Sequence, residues 1–195
     1  LPLRRPAALA VIVVLAVVAG AGAVAAHDLI LTGGDFGNGY TVPLSSLAKL
    51  LGFVAIGLWS GQLGGRAVWQ LPAVALASAA FAGVISEAGV VVPHTDQVLM
   101  AALVVVGILM VLATRLPLFS PWAVVAVVAL FEGYPLAETM YHGPNLGSWA
   151  GYGTAALLAM AGGLGLGMMM PAPIAFRVFG IGIAAAGIAM LLDKI

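Results

Sequence analysis

Lys49, Glu87 and Glu132 stand inside otherwise apolar runs of the chain. An ionisable group at membrane depth costs about 2.5–3.5 kcal/mol on insertion scales and marks a functional candidate by default. Counting from the ends of the runs puts all three in the same half of the bilayer. Lys49 falls about two turns below the outer surface, Glu132 within a turn of Pro135, and Glu87 about a turn below Val92-Pro93. Charges at one depth in a small bundle are expected to meet, as a Lys49–Glu132 pair with Glu87 nearby. Two readings stay open. The pair could simply fix helix packing, or the carboxylates could bind a metal or carry protons along a cation path. Lys49 argues partly against a metal, because an ammonium offers only donors and repels a divalent cation.

A second set of polar residues lies between the runs: His27, Asp28, Asp35, His94, Asp96, Glu138 and His142. Oxygen and imidazole groups of this kind are metal ligands, although loops without positive charge collect polar residues anyway. Cysteine is absent, which removes thiolate metal sites, iron–sulfur clusters, disulfides and Cys nucleophiles. The three histidines all lie outside the apolar runs, so a bundle-bound bis-histidine haem has no ligands. No Ser-His-Asp set or phosphate loop is visible, and no enzyme is expected. Met168-Met169-Met170 reads either as soft-metal ligands or, more simply, as adaptable filler.

These residues must be positioned by membrane helices. Of 195 residues, 63% are hydrophobic and 7% charged, with a mean hydropathy of +1.17; a soluble domain carries about 25% charged residues. Net charge is zero, so no nucleic-acid partner is expected. Runs of helix-spanning length lie at about 7–26, 44–63, 68–90, 98–114, 118–135, 148–170 and 174–192. The first follows Arg4-Arg5 and ends in Ala23-Val24-Ala25-Ala26, the pattern of a cleaved signal peptide, with an uncleaved anchor as the alternative. The expectation is an all-α polytopic membrane bundle: residues 1–26 a signal or anchor helix, residues 27–195 a six-helix transmembrane domain. Arg66, Arg115 and Arg177 fall in alternate loops, which places those loops in the cytoplasm and the mature N-terminus outside a bacterial inner membrane. Lys194 alone falls on the outer side. Trp59, Trp69 and Trp122 then lie toward the cytoplasmic ends, and Tyr40, Tyr134, Tyr141, Trp149 and Tyr152 toward the exterior, as interface anchors.

Two local patterns predict packing. Ser45 and Ser46 share a helix face with Lys49, where serines usually bond a carbonyl one turn back. Gly163 and Gly167 form a G-x-x-x-G, and Gly180 with Ala184 repeats the spacing, so close approach of the last two helices is expected. Lipid is the expected partner, with other membrane-complex subunits or a second copy of the chain as further candidates.

The segment Pro43-Leu44-Ser45-Ser46-Leu47-Ala48-Lys49-Leu50-Leu51-Gly52-Phe53, continuing to Trp69, resembles the first mature helix of the HupE/UreJ family. A second point of likeness is Ala129-Leu130-Phe131-Glu132-Gly133-Tyr134-Pro135. The resemblance implies a signal, a histidine near the mature end, six helices, and a role in nickel or cobalt uptake linked to hydrogenase or urease maturation. The family's first helix carries a pattern like H-P-x-x-G-x-D-H, where this chain has Val42-Pro43-Leu44-Ser45-Ser46-Leu47-Ala48-Lys49. Its fourth carries one like H-G-x-A-H-G, where this chain has Glu132-Gly133-Tyr134-Pro135-Leu136-Ala137. By this register Lys49 and Glu132 stand in place of two histidines. The resemblance thus implies passage of a divalent transition metal as cargo, with no bound cofactor. Glu132, Glu138 and Glu87 would supply carboxylates, His27, His94 and His142 outer capture, and Lys49 a tethered counter-charge. The alternative is a transport-inactive relative serving as a structural or assembly subunit.

Overall fold

The computed structural model describes residues 34–112, 121–134, 145–170 and 173–193. The signal or anchor segment, His27, Asp28, Arg115, Glu138, His142 and Lys194 lie outside them. The described residues are helical: α1 (Gly34–Thr41), a 3-10 turn (Val42–Leu44), α2 (Leu47–Leu63), α3 (Ala67–Glu87), α4 (Thr95–Leu112), α5 (Pro121–Gly133), α6 (Leu146–Met169) and α7 (Pro173–Asp193). The helices α3, α4, α6 and residues 174–193 of α7 are long and apolar enough to cross a membrane, and α1 with α2 makes a fifth span if the bent pair is counted as one. Helix α5, at 13 residues, rises only about 20 Å against a hydrocarbon core of about 30 Å. The described residues therefore supply four spans, or five, where the sequence reading expected six.

Helix ends follow local chemistry. Pro121 and Pro173 open α5 and α7, where a missing N–H costs nothing. Asn145 caps α6 by accepting from the Ser148 amide at 3.0 Å. Gly89, at φ +81°, ends α3 in the left-handed conformation that glycine adopts without strain.

The largest departure from expectation is at the start of α2. The apolar run from Leu44 becomes helix α2 only at Leu47, because Leu44 belongs to the 3-10 turn and the segment Gly34–Leu44 meets α2 at an 80° bend. Pro43 has no amide to donate, and Ser45 closes the turn by donating from Oγ to the Val42 carbonyl at 2.7 Å. Ser46 is extended (φ −143°, ψ 151°) and caps α2 by accepting from the Lys49 amide. Ser45 does bond a carbonyl, as expected, but from outside the helix, so the two serines do not share a helix face with Lys49.

Helix α2 runs through the centre of the bundle, with Phe53, Ile56 and Leu58 almost fully buried. Without water to drive association, membrane helices gain from close backbone packing at small residues. A Cβ on Gly57 would strike the Met160 carbonyl of α6, and one on Gly163 the Val54 carbonyl of α2; Gly61 faces Gly167 one turn on. Gly180 and Ala184 instead pack against Gly107 of α4, and Gly133 of α5 against the Ala79 backbone of α3. The two small-residue stripes near the C-terminus are thus both used, but against α2 and α4 and not against each other. Large apolar side chains such as Phe81, Val105, Val127, Leu157 and Ile181 point outward, the arrangement suited to lipid.

Gly57→Leu is accordingly expected to destabilise the bundle by about 1–3 kcal/mol through overpacking against backbone that cannot move aside. Gly153→Ala, with nothing within 4 Å of the added carbon, should be neutral or gain up to about 1 kcal/mol of helix stability. Thermal melting of the two purified variants in detergent checks the contrast.

Candidate functional site

The polar site assembles where α2, α5 and α6 meet. Lys49 lies in the first turn of α2 and is buried, at 7% exposure. Its Nζ donates to Ser45 Oγ at 3.3 Å, so the serine that closes the bend also holds the ammonium. One turn further along α2, Gly52 leaves a gap that the Glu132 carboxylate fills; a Cβ there would collide with Glu132 Oε1.

Glu132 reaches this gap from the end of α5. The next residue, Gly133, packs its backbone directly on Ala79, which draws the end of α5 into the bundle. Tyr134 then secures that end: its hydroxyl accepts from the Val92 amide at 2.7 Å and donates to the Val90 carbonyl. Glu132 is 1% exposed, and neither carboxylate oxygen has a hydrogen-bond partner among the described residues.

Tyr152 of α6 completes the group. Its ring meets Phe53 of α2 edge-on, with centroids 6.0 Å apart and planes at 79°. Its hydroxyl is buried and likewise unpartnered among the described residues. Lys49, one turn before Gly52 on α2, makes no hydrogen bond to Glu132. A buried polar atom without a partner costs about 1–3 kcal/mol, and more when charged. Glu132, set against Gly52, and Tyr152, set against Phe53, are therefore two buried polar groups that each carry this cost.

The expected residues are placed unevenly. Lys49 and Glu132 come to one locus on different helices, but as neighbours in a shared field and not as a contact ion pair. Glu87 is the last residue of α3 and exposed, so it does not join them. The depth count failed there because the helix ends at Glu87, and residues 88–92 are a two-residue turn followed by irregular chain. His94 is exposed at φ +61° before α4. Asp96 and Asp35 are exposed in the first turns of α4 and α1, where a negative charge suits the helix dipole. Among the described residues no three His, Asp or Glu side chains gather around a point that could hold a metal. Met168 is exposed and stands apart from the site.

Tyr152 was read as an interface anchor, and the structure instead buries it in the core. A signal for this was present: Tyr152 shares a face of α6 with Ser148, Ala155, Ala156 and Ala159, and those small residues allow α2 to approach and cover the ring. Tyr134 and Trp59 are also buried, whereas Trp69 and Trp122 are exposed as anchors should be.

Comparison with known proteins covers this whole arrangement. Protein HupE of Rhizobium leguminosarum bv. viciae is 29% identical over 164 residues, covering 79% of this chain and 83% of the relative. No solved structure matches the chain. The model for "HupE / UreJ protein" matches residues 14–190, a stretch that holds Lys49, Glu132, Tyr152 and the helices that carry them, and so the chain belongs to the HupE/UreJ family.

Proposed function

We propose that this chain, a membrane protein of accessory or transport type, facilitates the passage of a divalent transition-metal cation. Nickel and cobalt are the cargo that the family resemblance implies. The observation that carries the reading is the state of Glu132: a buried carboxylate, set against the gap at Gly52, with both oxygens unpartnered among the described residues. A carboxylate spent on holding helices together would be expected to sit in contact with its cation, and this one does not.

In this reading His27, His94, Glu138 and His142 act as capture groups on the exterior face of a bacterial inner membrane, with the mature N-terminus outside. Glu132 supplies the intramembrane negative charge. Lys49 is the tethered counter-charge that must move or lose its proton for a cation to pass. The second reading, a transport-inactive assembly subunit, is favoured by the presence of Lys49 beside Glu132 and by the lack of a three-ligand cluster among the described residues.

Cellular metal content separates the two. Cells expressing the parent chain are expected to accumulate nickel or another divalent transition metal above an empty-vector control. No accumulation by the parent, with accumulation gained in Lys49→His, would establish the subunit reading instead.

A further inference from the structure

We propose that the outward groove between α4 and α5 holds one acyl chain of a membrane phospholipid. Helix α4 packs far more closely against α7 than against α5, and between α4 and α5 lies a groove of about 430 Å³. Helix α4 lines it with Ala101, Ala102 and Val105, and α5 with Ala123, Val124 and Val127; all eight lining residues are alanine or valine. Val105 and Val127 are exposed, so the groove is continuous with the outward apolar surface of the bundle. Exposed apolar walls cost nothing in hydrocarbon, but a gap between them does, because the walls forfeit the dispersion contacts that atoms lying in it would supply.

Size decides the occupant. A water molecule takes about 30 Å³ of the liquid and a methylene has similar bulk, so the groove holds about fourteen methylenes. That is one acyl chain. A helix with its side chains is about 10 Å across and cannot lie inside. A second copy would therefore have to approach over the rim, and the close helix crossings of this chain are made at glycine. The single glycine of α4, Gly107, is committed to α7, and that of α5, Gly133, to α3. Neither helix has one left for another chain. No lining side chain can form a hydrogen bond, so the groove selects a hydrocarbon chain and not a headgroup. A chain lying there braces α5, the helix that carries Glu132, on its outward side.

The test is native mass spectrometry of the full chain, delipidated in detergent and then offered phosphatidylethanolamine or phosphatidylglycerol in turn. The parent should retain one phospholipid after surplus lipid is removed, whichever headgroup is offered. Ala101→Leu and Ala123→Leu, both at exposed positions, fill the groove from opposite sides and should each lose that lipid. Leu157→Ala, exposed on α6 and outside the groove, should keep it. Added phospholipid should also raise the melting temperature of the parent, as a ligand of the folded state does, and leave the two filled variants unmoved. No lipid kept by the parent, lipid kept by the filled variants, or retention of one headgroup alone overturns the proposal. So does a dimer of the parent that the filled variants lose, since the groove would then be an interface between two copies. Should one filled variant fail to fold, the other decides, because each enters from a different helix.

Discussion

Glu132→Gln is expected to lower divalent-cation uptake at least about tenfold while the protein accumulates to its normal level. The first half follows from charge. Among the described residues Glu132 is the one buried acidic side chain, and at an effective dielectric of about 20, unit charges about 4 Å apart interact by about 4 kcal/mol. Even a third of that is a tenfold change in binding. The second half follows from the absence of direct contacts. Breaking a buried contact pair by removing one partner costs about 3–5 kcal/mol, but Glu132 has no hydrogen bond to lose among the described residues. Lys49 keeps Ser45 and can extend its stem toward the membrane surface. Glutamine has the same shape and still fits over Gly52. Whole-cell metal content, read beside immunoblot level and melting temperature, checks both halves. Normal uptake would remove Glu132 from the path, and a collapse in protein level would restore it to a structural role.

The apolar runs foretold much of the bundle because a membrane helix is a long apolar segment and its ends carry recognisable residues. The run 174–192 matches α7 (Pro173–Asp193), and 68–90 matches α3 (Ala67–Glu87) to within a turn. Three things were hidden, each for a physical reason. The apolar run opens at Leu44, three residues before α2 begins, because the bend is made by Pro43 and by local serine bonds whose geometry hydropathy does not encode. Glycine stripes announce close helix crossings but not the partner, since Gly57, Gly107, Gly163 and Gly180 look alike and lipid offers no polar code to pair them. The rotation of α6 decides whether Tyr152 faces lipid or core, and depth alone is silent on that. The locus of Lys49 and Glu132 was legible from charge, because two opposite charges in apolar runs have few other places to go. Their separation was not, for it depends on Ser45 capturing the ammonium first.

Lys49→Gln is the complementary substitution, and it should raise cation binding where Glu132→Gln lowers it. Lys49 is buried one turn before Gly52, against which the Glu132 carboxylate rests, so its positive charge should repel an arriving cation. For unit charges about 8 Å apart at an effective dielectric of about 20 the interaction is about 2 kcal/mol, and a divalent charge doubles it. Removing the ammonium while keeping a side chain able to donate to Ser45 should therefore tighten binding of Mn²⁺ or Ni²⁺ to the purified chain by at least about tenfold. Glu132 then loses its neighbouring positive charge, so the variant should melt lower in the absence of divalent cation and recover as cation is added, in the way any ligand that binds only the folded state stabilises it. Lys49→His should act in the same direction and favour Ni²⁺, because imidazole adds a nitrogen donor that ammonium lacks. Equal affinity in parent and Lys49→Gln, measured by titration of the purified protein, would falsify the view that Lys49 holds the site closed to cations.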